Sequence, residues 1–240
     1  MQVKTPEELL RLIKPPARIH SWEQLDEVIQ DDQCLSLIEK PFFDQIKAVV
    51  QQIATDKVEG DVVIAGVFKG GAALYLKALF EEAGMYKKWW LLDSFDGFNE
   101  PTLKRHEDIN SLQRISNQVI RQKQPDAEEI YQLFKNNGLE NNLEIVAGFF
   151  EDTFSKIDCG KICLLHIDVD FYEPTLLCLD KFYGSVEPNG WAVVDDYYAA
   201  VFKCRDAVDQ YREQYHISEE MIKLGNYPAA WKKQAMPTGK

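Results

Sequence analysis

From residue 61 onward, short apolar runs alternate with longer segments of helical period. The runs are 61-DVVIAGV, 89-WWLLD, 143-LEIVAG, 162-ICLLHIDVD and 190-GWAVVDD. Each is nearly continuous in apolar residues and rich in β-branched or aromatic side chains, the pattern of a strand buried on both faces of a parallel sheet. Between them the periodicity predicts helices over about 71–84, 110–120, 126–138, 173–184 and 199–215. Gly84, Gly138 and Gly184 stand where helix C-caps belong, and Pro125 and Pro174 stand near helix starts. Strand alternating with helix predicts an α/β fold, a doubly wound sheet with right-handed crossovers. Residues 1–60 hold helical patterns alone, over about 6–13, 21–29 and 35–54, and are expected to form an N-terminal helical cap on the same domain as 61–240. The tail 219-EEMIKLGNYPAAWKKQ offers two short strands around a turn at Asn226 to Pro228.

The chain has 240 residues, 45% of them hydrophobic and 12% aromatic, enough for one sizeable core and short for two. Lys and Arg number 27 against 39 Asp and Glu, a net charge of −12. A phosphate backbone is bound chiefly by neutralising it with Lys and Arg, so this balance argues against nucleic acid or an anionic membrane as partner. No run approaches the roughly 20 apolar residues that cross a bilayer, and the N-terminal MQVKTPEELLRLIKPP is charged throughout. A cytoplasmic protein acting on a small molecule is expected. Five cysteines, at 34, 159, 163, 178 and 204, stand singly among apolar neighbours with no CxxC pair, which predicts reduced thiols and neither a disulfide framework nor a zinc cage.

Open α/β sheets bind ligands beyond the C-terminal ends of their strands. After the first run comes Gly66-Val67-Phe68-Lys69-Gly70-Gly71, opening directly onto a helix. Glycines there let backbone N–H groups approach a ligand, and a helix N-terminus favours an anionic group; the alternative is that Gly70 and Gly71 only permit tight packing. After the second run Asp93-Ser94-Phe95 stands one loop, helix and strand further on, the spacing that sets an acid beside a nucleoside ribose. His166-Ile167-Asp168-Val169-Asp170 ends the fourth run and Asp195-Asp196 the fifth. If those strands are neighbours, up to four carboxylates meet, and their repulsion calls for a cation. A hard ion with oxygen ligands, Mg²⁺ first, fits better than zinc because no Cys or second His accompanies the acids. Asp170 and Asp196 could instead cap the helices that follow.

These blocks resemble a known family, the macrocin O-methyltransferase (TylF/MycF) family of S-adenosylmethionine- and Mg²⁺-dependent sugar O-methyltransferases. The resemblance is carried by GDVVIAGVFKGGAAL (60–74), LLDSFDGF (91–98), AGFFEDTF (147–154) and IDVDFYEPTLLCLDKFYGSVEPNGWAVVDDYYAAVFKCRDAVDQYR (167–212), and covers roughly 35–215. It implies a Rossmann-like methyltransferase sheet ending in an antiparallel hairpin, and methyl transfer to a hydroxyl of a sugar or glycosylated natural product. It also implies Asp168, Asp195 and Asp196 as metal ligands, Asp93 as the ribose acid, and a cofactor site built from residues 66–71 with Ser94, Phe95, Gly148, Phe149 and Phe150. Asp168 is the candidate for both metal ligand and base. His166 is the other candidate base, or a buried histidine with its hydrogen bonds satisfied.

Three positions depart from the family pattern. Ile64-Ala65 stand where the family has Glu-Thr, Lys69 stands for an Arg, and His166 for an Arg two residues before the first metal aspartate. The segment 96–125 is polar and is expected to form a lid over the acceptor. A nicotinamide-dependent oxidoreductase is disfavoured, because GVFKGG is not GxGxxG and no Tyr-x-x-x-Lys follows. A catechol or polyketide hydroxyl as acceptor, and a non-catalytic binding protein of the same fold, remain open. The helical N-terminus and the resemblance together suggest a homodimer.

Overall fold

The computed structural model describes residues 3–19, 24, 27, 28, 31, 33–98, 103–119 and 125–234. Strands Asp61–Ala65 (β1), Trp89–Asp93 (β2), Leu143–Ala147 (β3), Ile162–Ile167 (β4), Val186–Val194 (β5), Met221–Lys223 (β6) and Ala229–Lys232 (β7) form one sheet in the order β3-β2-β1-β4-β5-β7-β6. Strands β1 to β5 are parallel, and β7 runs antiparallel to both β5 and β6. The described helices are Pro6–Ile13 (α1), Lys40–Thr55 (α2), Gly71–Glu82 (α3), His106–Val119 (α4), Ala127–Asn136 (α5), Phe150–Thr153 (α6), Tyr172–Phe182 (α7) and Cys204–Gln214 (α8). The chain winds outward from β1 in one direction through β2 and β3, and in the other through β4 and β5. The crevice of such a sheet opens where the winding reverses, above the ends of β1 and β4.

Burial on both faces explains the apolar runs of β1, β2 and β4, whereas β3 departs from that expectation because it lies at the sheet edge, half-buried, with Glu144 and Ala147 exposed. Val62 and Ile64 enter a cluster with Leu9, Ile13, Phe42, Phe43 and the buried residues of α3, while Val63 and Ala65 enter a second cluster with Cys178, Leu179, Phe182 and Val208. Truncating one such buried Phe to Ala costs about 3–5 kcal/mol. Helices α1 and α2 thus share the first cluster with the strands themselves. Capping boxes start α1 (Thr5 with Glu8) and α5 (Asp126 with Glu129). In register, Ile64 of β1 stands opposite His166 of β4, and Ala65 opposite Ile167.

Four boundaries differ from the sequence pattern. Helix α2 begins at Lys40 and not near 35, because Leu35 donates its N–H to the Ile13 carbonyl at 2.9 Å and Ser36 Oγ accepts the N–H of Ile38 at 3.2 Å. Helix α4 starts four residues early, at His106, and α8 starts late, at Cys204, because the intervening chain makes turns such as Ala199 N–H to Asp196 carbonyl at 2.9 Å. Strand β5 begins at Val186, where the exposed Pro188 and Asn189 conceal the strand pattern. The helical pattern at 21–29 falls largely outside the described residues.

Candidate active site

A cavity of about 570 Å³ lies above the ends of β1, β2, β4 and β5. Gly66 makes its floor possible. With φ +87°, it turns the chain off β1 so close to β4 that a Cβ would lie 1.8 Å from the Asp168 carbonyl oxygen. Asp168 in turn donates its N–H to the Ala65 carbonyl at 2.7 Å, and Asp195 donates its own to the Ile167 carbonyl at 2.9 Å. The ends of β1, β4 and β5 are locked to one another.

Asp93, at the end of β2, organises the neighbouring turn. Its Oδ2 accepts the N–H groups of Val67 and Phe68 at 2.7 and 3.2 Å, and its Oδ1 accepts that of Phe95 at 2.9 Å. Phe68 and Phe95 both have positive φ, near 50°, a sparsely populated conformation for a bulky residue that the three bonds to Asp93 help hold. Gly66, Val67, Phe68, Asp93, Ser94, Phe95, Phe149 and Phe150 all line the cavity. Lys69, Gly70, Gly71 and Gly148 are not among its lining residues. Lys69 Nζ donates to the Asp31 carbonyl at 3.2 Å. Gly71 donates its N–H to the Leu35 carbonyl, and a Cβ there would lie 2.5 Å from that oxygen. Gly70 donates to the Val67 carbonyl and faces Ile130 and Leu133. The packing of α3 against residues 35 and 130–133 gives these two glycines a role in tight packing, the alternative that the sequence pattern also offers.

The acids at the strand ends do meet. Asp168, Asp195 and Asp196 each offer one oxygen within 4.8 Å of the others. Burial first, and then the neighbouring acids, pushes the carboxyl pKa values of Asp168 and Asp195 well above the usual range, and burial lifts that of Asp196 to about 6. Asp170 joins them through a hydrogen bond between its side chain and that of Asp196, and it too is raised by burial. Oδ1 of Asp195 is buried with no hydrogen-bond donor among the described residues. An orphaned carboxylate oxygen facing two further carboxylates is a donor set suited to a hard divalent cation.

Two lining residues carried no signal in the sequence. Glu39, buried at the start of α2, accepts the N–H of Ile19 at 2.7 Å and the side-chain amide of Asn226 in the β6–β7 turn. In the sequence Glu39 falls inside the helical pattern 35–54 and Asn226 in a turn, and only the fold brings them to the rim of the acid cluster. His166 differs from the expectation of a satisfied buried histidine. Neither ring nitrogen has a partner among the described residues, the ring stacks on Phe42 at 5.7 Å, and burial lowers its pKa to about 4. It does not line the cavity.

The far wall of the cavity is apolar. Phe171 packs edge-on against Phe98 at 4.8 Å and Phe202 at 5.8 Å, beside Leu103. Phe98 and Leu103 lie within the segment 96–125 expected as a lid, of which residues 99–102 and 120–124 lie outside those described.

A parallel sheet reversing between β1 and β4, closed by an antiparallel hairpin, with a glycine turn bound to an acid at the end of β2, defines a methyltransferase of the Rossmann-like class. The chain belongs to the macrocin-O-methyltransferase (TylF) family, whose profile matches residues 23–233. It is 29% identical over 196 residues, 80% of this chain and 73% of the other, to the 8-demethyl-8-(2,3-dimethoxy-alpha-L-rhamnosyl)-tetracenomycin-C 4'-O-methyltransferase of Streptomyces olivaceus. It is 28% identical over 189 residues, 78% of this chain and 73% of the other, to the mycinamicin III 3''-O-methyltransferase of Micromonospora griseorubida. Its fold matches that of the O-methyltransferase NovP with a TM-score of 0.80 at 24% identity, over 96% of this chain and 98% of that one. The protein is a methyltransferase. Among the described residues no helix is long and apolar enough to cross a membrane.

Proposed function

We propose that the protein transfers a methyl group from S-adenosylmethionine to a hydroxyl of a sugar carried by a natural product, with Mg²⁺ held by Asp168, Asp195 and Asp196. The observation behind this reading is that one cavity contains both the Asp93-bound glycine turn and the three-carboxylate cluster. The relatives named for methylation of glycosylated tetracenomycin and of mycinamicin support the sugar acceptor. S-adenosylmethionine supplies a methyl already activated on sulfur, and Mg²⁺ supplies the charge that lowers a hydroxyl's pKa.

The chain supplies orientation and proton handling. Asp93 Oδ1 accepts one N–H, from Phe95, and keeps lone-pair capacity for a ribose hydroxyl. Phe95, Phe149 and Phe150 give the purine apolar walls. A carboxylate oxygen of Asp168 takes the proton of the acceptor hydroxyl. Asp195 and Asp196 keep the cation in place. Phe98, Leu103, Phe171 and Phe202 receive the aglycone and exclude water, leaving the sugar hydroxyls toward the acids. We further read the chain as one domain and as a cytoplasmic homodimer. The buried free thiols of all five cysteines support a reducing compartment, and the exposed Val3 and Leu12 of the N-terminal cap support pairing through that region.

Methyl transfer to a glycosylated acceptor, assayed with and without EDTA, tests the proposal. EDTA should abolish transfer while S-adenosylhomocysteine still raises the melting temperature. Full activity in EDTA would exclude the metal role, and turnover of a free catechol but of no glycoside would exclude the sugar. Light scattering should give twice 27.7 kDa.

A further inference from the structure

Helix α4 is stitched to the starts of two other helices. Asp108, in its first turn, is completely buried. Its Oδ2 accepts the N–H of Tyr172 at 2.9 Å, and its Oδ1 the N–H of Lys203 at 3.2 Å. Tyr172 is the first residue of α7, and Lys203 is the residue preceding α8. Neither helix has a side-chain cap from its own N-cap residue, which is Phe171 in one and Lys203 in the other. A helix start without Ser, Thr, Asp or Asn leaves N–H groups unsatisfied. One carboxylate, distant in sequence, answers both, and its charge sits at the positive ends of two helix dipoles.

Those two helix starts are the far ends of the loops that carry the acid cluster. Asp168 and Asp170 lie just before Tyr172, while Asp195 and Asp196 lie before Lys203. The loops also touch directly, with Cys204 N–H on the Asp170 carbonyl at 3.2 Å. Around Asp108 the same helix and Arg105, the residue just before it, add further ties. Arg105 lies 3.7 Å from the Tyr172 ring and 3.1 Å from Asp206 Oδ2, and Ser111 Oγ donates to the Val201 carbonyl at 2.7 Å. Leu112 and Ile109 pack beside Phe171, the aromatic wall of the cavity.

We propose that Asp108 is a positioning residue: by holding the starts of α7 and α8 on one carboxylate it sets the separation of the loops bearing Asp168 and Asp195–Asp196, so that cation affinity depends on the docking of α4. This rests on the reading of the three acids as a Mg²⁺ site. The wall that receives the acceptor and the site that holds the cation are then assembled in one event.

Mn²⁺ binding to the full chain, followed by electron paramagnetic resonance, tests this without turnover. Asp108→Asn keeps one acceptor but turns an amide N–H group toward the second backbone N–H. It should raise the Mn²⁺ Kd about tenfold or more while the Kd of S-adenosylhomocysteine, by calorimetry, stays within about twofold of wild type. Asp108→Ser, which keeps one acceptor and admits water, should do the same and covers the case in which the Asn variant does not fold. Ser111→Ala, which loses only the bond to Val201, should leave Mn²⁺ affinity unchanged. Equal Mn²⁺ affinity in wild type and the Asp108 variants overturns the inference and leaves the metal reading standing. A wild type that binds no Mn²⁺ overturns both, and an equally large loss in Ser111→Ala overturns the assignment to Asp108.

Discussion

Replacing Asp195 with Asn keeps the shape of the side chain and removes one charge from three. Asp195 is 7% exposed and its Oδ1 receives no hydrogen bond. The oxygens of Asp168, Asp195 and Asp196 lie within 4.8 Å of one another. At that separation and an effective dielectric constant near 20, two full charges repel by about 3 kcal/mol. Proton uptake relieves part of this near neutral pH, so Asp195→Asn should stabilise the metal-free protein by about 1–2 kcal/mol, or roughly 2–8 °C in melting temperature. Burial and neighbouring acids hold the native pKa of Asp195 well above 3.8, and burial brings that of Asp196 to about 6. Between the unfolded and the native values the folded state binds more protons, so its stability falls as pH rises through that window. The advantage of the Asn variant should therefore be small near pH 4 and grow toward about pH 8. Calorimetric melting in EDTA at both ends of that range measures it. At Mg²⁺ about a hundredfold above Kd, wild type should regain roughly 2–3 kcal/mol and the variant less. A variant that melts lower than wild type in EDTA, by the same amount at both pH values, would refute the electrostatic reasoning and point to a structural role for Asp195.

Asp93→Ala removes the acceptor of the Val67, Phe68 and Phe95 N–H groups as well as the proposed ribose contact. It should weaken S-adenosylhomocysteine binding by about 1.5–3 kcal/mol, and calorimetry giving wild-type affinity in the folded variant would remove Asp93 from the site. Gly71→Ala places a Cβ 2.5 Å from the Leu35 carbonyl. Chemical denaturation should show a loss of about 1–3 kcal/mol with cofactor affinity unchanged, whereas a stable variant that no longer binds cofactor would return Gly71 to the site. His166→Leu should match or exceed wild-type stability at neutral pH by about 1 kcal/mol, because it replaces two unsatisfied buried nitrogens. With the native pKa lowered to about 4 from 6.5, wild type binds fewer protons folded than unfolded and loses stability as pH falls between those values. The Leu variant should lose less across that window and keep its activity; a stable but inactive variant would make His166 the base.

Strands β1, β2 and β4 were readable because burial on both faces leaves an unbroken apolar run, whereas β3, at the sheet edge, is half-buried with Glu144 and Ala147 exposed and was carried by Leu143, Ile145 and Val146; each run fixes where its strand delivers its last residue. Asp93, Asp168, Asp195 and Asp196 therefore fell where expected. The first residues of β5 were not readable, because Glu187, Pro188 and Asn189 face outward and resemble a loop. Gly70 and Gly71 carry two readings for a related reason: a glycine at a helix start is required equally by a ligand above it and by a carbonyl beside it, and the carbonyl of Leu35 beside Gly71 shows itself only in the fold. Glu39, Asn226 and Asp108 had no local signature at all. Each acts on chain far away in sequence, Glu39 on Ile19 and Asn226, Asp108 on Tyr172 and Lys203.

Ile64 and His166 appear in the sequence as two unrelated departures from the family pattern, yet they stand opposite each other on β1 and β4. A Glu at 64 facing an Arg at 166 would form an ion pair in the middle of the sheet, and the present pair replaces it with an aliphatic side chain and a neutral ring stacked on Phe42. Losing one partner of a buried ion pair costs about 3–5 kcal/mol, whereas exchanging both for apolar groups is often neutral. The two positions are thus coupled physically: a charge placed at one of them is compensated only by an opposite charge at the other. Placing Glu at 64 without Arg at 166 would bury an unpaired carboxylate in the middle of the sheet.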